Sequence, residues 1–276
     1  MVKIVTDSTA DLPADVARDL GISVVPLYVR FGEEVYRDGV DMRSDEFYQR
    51  LPTSPRLPTT AAPSIGDFLG VYKEAAQGEG IVSIHISSKL SATCNAALQA
   101  AKELPGARVE VVDSLSCSMG AGLLAILAAQ WAREGMGLED MVSRLRGALS
   151  NLRVFALLDT LTYLQKGGRI GKAQALLGGL LNIKPLLSIK DGEVHPLERV
   201  RSRSRAIERL AELVGGFPAI HMMAVLFNTT PEEAEALAKI LPTPASGGVL
   251  RARLGPVIGT YAGPGALAVA LVEAKV

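Results

Sequence analysis

The sequence predicts an α/β protein of two domains, the first (residues 1–150) with a mostly parallel sheet and the second (residues 151–276) with a mixed sheet. Three observations predict it. Over the first 150 residues, short β-branched runs alternate with helical patterns, the rhythm of strands joined by right-handed crossovers. After that the rhythm changes to paired strand patterns, one pair flanking Asp191-Gly192, a dipeptide that favours a tight hairpin. The composition is that of an ordinary globular chain, with 48% hydrophobic and 21% charged residues, and 276 residues suit two domains of ordinary size.

The elements follow in order. Residues 2–6 form a strand ending at Asp7-Ser8. Asp11 is expected to cap a helix whose first turn tolerates Pro13. Residues 23–29 read as a strand, 32–43 as a hairpin or loop excursion, and Ser44-Asp45-Glu46 opens a short helix to Leu51. Prolines make residues 52–63 an ordered or extended loop, after which Ser64 opens a helix to about residue 79. Strands at 81–86 and 109–112 flank a helix at 92–104, and helices at 119–133 and 138–149 close the first half. In the second half, 153–158 is strand-like, and the Gly-rich segment 166–171 separates two short helices. Residues 185–189 and 194–200 form the hairpin, 204–214 a helix and 222–227 a strand. Thr230-Pro231 opens another helix, and the last strands are expected at 249–253, 257–261 and 267–273.

Charge and motif content exclude several functions. The 29 basic and 29 acidic residues cancel, which argues against a general nucleic-acid binder. Six Phe, six Tyr and one Trp offer few platforms for stacking bases. The two cysteines, Cys94 and Cys117, lack paired spacing, and the chain enters a strand at once instead of a basic and apolar leader; it reads as cytoplasmic. The longest nearly apolar stretch, 119–132, falls short of the ~20 residues of a membrane span and reads as a buried helix. His85, His195 and His221 show no metal-ligand spacing. There is no nucleophile elbow and no complete phosphate-binding loop, and the loose dinucleotide fingerprint at 120–125 does not follow its strand directly.

The ends of the candidate parallel strands carry the informative residues. Thr6-Asp7-Ser8, Ile86-Ser87-Ser88 and Val112-Asp113-Ser114 end alike, and ligands of open α/β sheets bind at such ends. Ser87, Ser88, Ser91 and Thr93 place four hydroxyls around the start of one helix, where the Ala92 N–H is free of intrahelical bonds. Thr59 and Thr60 add hydroxyls from the Pro-rich loop, so the cradle suits a carboxylate or another small anion. Asp7 and Asp113 either cap or hold Mg²⁺. Arg199, Arg201, Arg203 and Arg205 alternate, giving either a solvated edge or a basic docking patch.

At these residues the chain resembles the DegV family of bacterial fatty-acid-binding proteins. The matching pieces are Thr6-Asp7-Ser8 with Asp11-Leu12, Pro58-Thr59-Thr60 with Pro63-Ser64, Ile86 to Thr93, and Val112-Asp113-Ser114. They continue with Leu161 to Ile170, which includes Lys166-Gly167-Gly168-Arg169, then Leu181 to Pro185 and Gly255 to Ala266. The resemblance implies a long-chain fatty acid between the two domains, its carboxylate at Thr60, Ser91 and the Ala92 N–H, with Arg169 near the head group and Thr59, Thr93 and Tyr261 close by. It implies a carrier that needs no cofactor or metal and presents the fatty acid to the ATP-binding subunit of a fatty acid kinase, yielding acyl phosphate. Arg199, Arg201 and Arg203 would face that partner.

Two positions depart from the family pattern: Ala92 replaces a Gly, and Tyr261 replaces a His that is often present. Ala keeps the N–H but restricts φ; Tyr keeps a hydroxyl but does not titrate near neutral pH. The residues by themselves also suit an α/β enzyme acting on a small phosphorylated or carboxylated substrate, with Asp7 or Asp113 as base or Mg²⁺ ligand, or a protein-interaction module using the arginine face.

Overall fold

The computed structural model describes residues 1–178 and 183–274. Its first sheet is parallel throughout, in the order β2-β1-β6-β7. The strands are β1 (Lys3–Asp7), β2 (Ile22–Val25), β6 (Ile81–His85) and β7 (Val109–Asp113). Their period-two pattern divides the side chains between two cores. Val5, Val25 and Ile81 pack against α3 (Ile65–Ala75) and α4 (Thr93–Lys102), while Ile4, Ile22, Val82, Ile84 and Val112 face α5 (Met119–Arg133) and α6 (Leu138–Ala148).

The second sheet is mixed, in the order β10-β9-β8-β13-β11-β12. It comprises β8 (Leu152–Leu157), β9 (Lys184–Lys190), β10 (Glu193–Val200), β11 (Ile220–Phe227), β12 (Leu250–Arg253) and β13 (Leu267–Glu273). Only β11 and β12 pair in parallel. One face carries α8 (Arg203–Gly215) and α9 (Pro231–Ile240). The other packs through Val154, Ala268, Ala270 and Val272 on the same α5 that covers the first sheet. That double contact explains why α5 is apolar nearly all round: a helix between two sheets has no solvent face. Among the described residues no helix is long and apolar enough to cross a membrane.

A third, small antiparallel sheet, β4-β3-β5, joins β3 (Tyr28–Phe31), β4 (Glu34–Arg37) and β5 (Thr59–Ala61). With α2 (Ser44–Arg50) it encloses a core of Leu27, Val29, Phe31, Met42 and Phe47. The remaining helices are α1 (Ala14–Leu20), α7 (Thr162–Lys166) and α10 (Pro256–Ala262).

Three local expectations are corrected. Residues 23–29 are not one strand: the chain leaves the parallel sheet at Val25, passes Pro26, and enters the small sheet at Tyr28. Asp11 does not cap α1, which is preceded by Pro13; it adopts the left-handed conformation and is 7% exposed. Residues 257–261 are helix α10, not strand, despite Val257, Ile258 and Thr260. Pro256 at the first helical position favours the turn. Two first-lobe carboxylates then take the N–H groups that open it: Asp11 accepts from Gly255 N at 2.8 Å, and Asp38 from Val257 N. The Leu181-Asn182 piece of the family pattern lies outside the described residues.

Both carboxylates are buried, and both titrate abnormally. Burial pushes Asp11 well above the usual carboxylate range, and lifts Asp38 to about 7. The folded protein therefore keeps a proton on Asp38 that the unfolded chain releases near pH 4. Its contribution to stability is full below that value and is lost as pH rises toward 7. Calorimetry should show the wild-type melting temperature falling between pH 5 and pH 8, with a smaller fall in Asp38→Asn. Equal falls in both proteins would contradict the assignment.

Candidate functional site

The chain segments that follow β2, β6 and β7 meet β5, α7, α10 and the β9–β10 hairpin around a cavity of about 160 Å³. The first determinant is Asp7, which is fully buried. Its carboxylate accepts from Ile86 N at 3.1 Å, Thr9 N at 3.0 Å and the Thr9 hydroxyl, and meets His85 Nδ1 at 2.9 Å. His85 Nε2 lies 2.6 Å from Ser83 Oγ, which takes a hydrogen bond from the Tyr72 hydroxyl at 2.8 Å. This buried chain fixes the end of β6 and gives His85 a structural place. Asp113 accepts from Ser88 N at 3.2 Å and Leu115 N at 2.9 Å, so both candidate Mg²⁺ ligands are occupied in holding loops.

The loop beyond β6 turns on Ser87. Its carbonyl accepts from the N–H groups of Leu90 and Ser91, and its hydroxyl accepts from Lys89 N and donates to Gly192 O at 2.8 Å. Asp191 and Gly192 both have positive φ, as the two-residue hairpin turn requires. A Cβ on Gly192 would lie 2.4 Å from Ser87 Oγ, so glycine is needed for the close approach as well. Ser91 Oγ then accepts from Thr93 N at 3.3 Å and pairs with Thr93 Oγ1 at 2.8 Å, starting α4. Ala92 sits at φ −74°, which Ala adopts without strain, so its replacement of Gly costs nothing in backbone conformation. Its N–H makes no hydrogen bond among the described residues.

Opposite this loop, Thr60 on β5 meets the Tyr261 hydroxyl at 2.5 Å. Arg169 ties the two sides: Nε donates to Leu90 O at 3.3 Å, Nη1 to Gly167 O at 2.9 Å, and the guanidinium carbon lies 5.1 Å from the centre of the Tyr261 ring. That ring lies against Gly167, where a Cβ would come within 2.5 Å of it. Thr60, Ser91, Ala92, Arg169 and Tyr261 thus line one chamber, and Arg169 is the only charged residue in its wall among the described residues. Thr59 and Thr93 do not line it. Thr59 is exposed on an outer groove, and Thr93 is buried beneath Ser91.

The inner wall of the chamber is apolar, and four of its residues, Cys117, Leu164, Val194 and Ile258, also line a second cavity of about 100 Å³. This second chamber is walled almost wholly by aliphatic side chains, among them Ala156, Leu187, Leu226 and Ala268. Burial pushes the Cys117 thiol up to about 12, so it is a neutral wall group. None of these four residues is evident as a site residue in the sequence. The one local signal is that Val257, Ile258 and Tyr261 recur at helical spacing, visible only once α10 is known to be a helix.

The arginine face is not a single patch. Arg203 is half-buried, donating to Asp159 Oδ1 at 2.8 Å, to both carboxylate oxygens of Glu233 and to Gly265 O at 2.8 Å; these bonds hold the second sheet's helices. Arg199 donates to Ala175 O at 3.0 Å, and Arg201 is exposed; both line another groove beside Lys184.

Comparisons with known proteins agree with this architecture. The family model described as "Uncharacterised protein, DegV family" matches residues 1–274. A DegV domain-containing protein of Streptomyces coelicolor is 39% identical over 279 residues, 97% of each chain. In structure, the chain is similar to a DegV family protein from Thermus thermophilus, described for its fatty acid binding, with TM-score 0.90, 37% identity and 99% of each chain covered. It is also similar to DegV of Bacillus subtilis, described as a fatty acid binding protein, with TM-score 0.88, 31% identity and 99% of each chain covered.

The Ser87–Gly192 contact gives a stability prediction. Gly192→Ala adds strain at positive φ and a clash with Ser87, and should lower unfolding free energy by about 1–3 kcal/mol in urea denaturation. An unchanged midpoint would mean that the contact does not hold the two lobes together.

Proposed function

This chain belongs to the DegV family, and from that premise we propose that it binds a long-chain fatty acid and presents the carboxylate to a separate ATP-dependent fatty acid kinase subunit. The observation that carries the reading is the pairing of chambers: one rimmed by hydroxyls and a guanidinium, sharing Cys117, Leu164, Val194 and Ile258 with an adjoining one that is nearly all aliphatic. A fatty acid has that polarity profile. Each methylene leaving water contributes about 0.8 kcal/mol, so the chain supplies affinity while the polar rim fixes orientation.

The carboxylate would accept from the Thr60 and Ser91 hydroxyls and from the Ala92 N–H, which has no other acceptor among the described residues. Arg169 keeps Nη2 free of protein acceptors among the described residues and would offset the negative charge. Outside Thr60, Arg169 and Tyr261 lies a groove of about 610 Å³ that Arg56 and Lys166 also line. It offers an approach for the γ-phosphoryl group of the partner's ATP. In the step we propose, a carboxylate oxygen bonds to the γ-phosphorus as the bond to the ADP oxygen breaks. ADP leaves with that electron pair, and Arg169 balances charge on the transferred group. The Tyr261 hydroxyl, hydrogen-bonded to Thr60, orients the head group. The protein acts as carrier, and the chemistry is the partner's. Arg199 and Arg201 remain candidates for the partner-facing surface.

Calorimetric titration with hexadecanoic acid tests the head-group assignment. Ser91→Ala should weaken binding by about 1–3 kcal/mol, because a carboxylate loses a donor. Unchanged affinity would remove Ser91 from the site.

A further inference from the structure

The apolar chamber adjoins an outer groove. Val154 and Ile189 line both it and a groove of about 520 Å³ formed by the loop at 114–116 and the strands β8 and β9. Their side chains face the chamber: along β8 and β9, Val154 and Leu187 belong to the core shared with α5, whereas the intervening Phe155 and Leu186 belong to the opposite core. The groove beyond is of mixed character. Leu115 and Leu149 contribute apolar surface, and the charged residues of its wall are Arg153, Lys190 and Asp191; Lys190 is exposed with no ion partner among the described residues.

Capacity makes this adjacency matter. An apolar cavity of about 150 Å³ holds one benzene. On that scale the head-group and apolar chambers, about 160 and 100 Å³, hold roughly ten carbons. A longer acyl chain with its carboxylate at Thr60 and Ser91 exceeds that volume, and Val154 and Ile189 are where the apolar chamber adjoins the groove.

We propose that the acyl tunnel runs through the protein and opens into the Lys190 groove, so that the protein accepts long-chain acids whose ω end is polar, such as α,ω-dicarboxylic acids. This rests on the fatty-acid reading above. In a tunnel closed at its end, an ω-carboxylate would be an ionised group buried without a partner and would be rejected. In the open groove it stays hydrated, with Lys190 and Arg153 offsetting the like charge of Asp191.

Binding of hexadecanoic and hexadecanedioic acids to the wild-type protein, measured by calorimetry, tests the inference. The diacid is expected to bind within about tenfold of the monoacid. If it binds more weakly than that, the tunnel is closed and the inference falls, while the fatty-acid reading stands. If hexadecanoic acid itself fails to bind, the fatty-acid reading falls and the inference with it. A second arm uses Ile189→Phe, which narrows the passage. Octadecanoic acid should lose at least about tenfold in affinity relative to decanoic acid; equal effects on both would overturn the inference. Retained decanoic acid binding shows that the variant is folded, and if it is lost the wild-type comparison decides alone.

Discussion

Two buried carboxylates of the first lobe hold the start of a helix in the second, and the site depends on that grip. Asp11 and Asp38 take the N–H groups of Gly255 and Val257, the donors that a helix start leaves without partners. The positive end of the helix dipole favours acids there, and Ser118 and Ser8 hydroxyls satisfy further carboxylate oxygens. Helix α10 in turn brings Val257, Ile258 and Tyr261 to the chamber. Gly255 and Gly259 let it approach this closely: a Cβ at 255 would come within 3.0 Å of Asp11, and one at 259 within 2.4 Å of the Tyr48 hydroxyl. Burying two acids is costly, and the raised titration of both shows it. What the fold gains is one fixed position for the helix that completes the wall between the lobes.

The chamber's chemistry follows from how its polar groups are used. Asp7, Asp113 and Ser87 are committed to fixing loops, and their oxygens are occupied by backbone donors or by the facing hairpin. Ser91, Thr60 and Tyr261 keep hydroxyls at the chamber wall, and Arg169 supplies the single positive charge in it among the described residues. The wall thus combines hydroxyls and one guanidinium, with an aliphatic interior behind it. The Tyr261 hydroxyl is paired with Thr60, and its ring carries the Arg169 guanidinium.

Much of this was legible in the sequence, for local reasons. The strand-helix rhythm, the Asp191-Gly192 hairpin and the Ser64 cap each depend on neighbouring residues, and each appears where expected; Ser64 and Asp67 form a reciprocal capping box. The family pattern named Thr60, Ser91, Ala92, Arg169 and Tyr261, and the structure brings those five to one chamber. Two of the three misreadings share one cause, whereas the strand expected at 23–29 breaks at Pro26, where the chain changes sheets. The β-branched run at 257–261 is a helix because acids some 220–245 residues earlier satisfy its start, and Asp11 is pulled from a local capping role to do it. The lining residues Leu27, Cys117, Leu164 and Val194 come from separate segments, each ordinary in its own neighbourhood, so no local pattern marks them.

The central claim is that an acyl chain fills the paired chambers, and native mass spectrometry of the purified protein tests it most directly. The account predicts a one-to-one mass excess that organic extraction releases as a C14–C18 fatty acid, or that appears when such an acid is added to the apo protein. A protein that carries no lipid and takes up none on addition would contradict it.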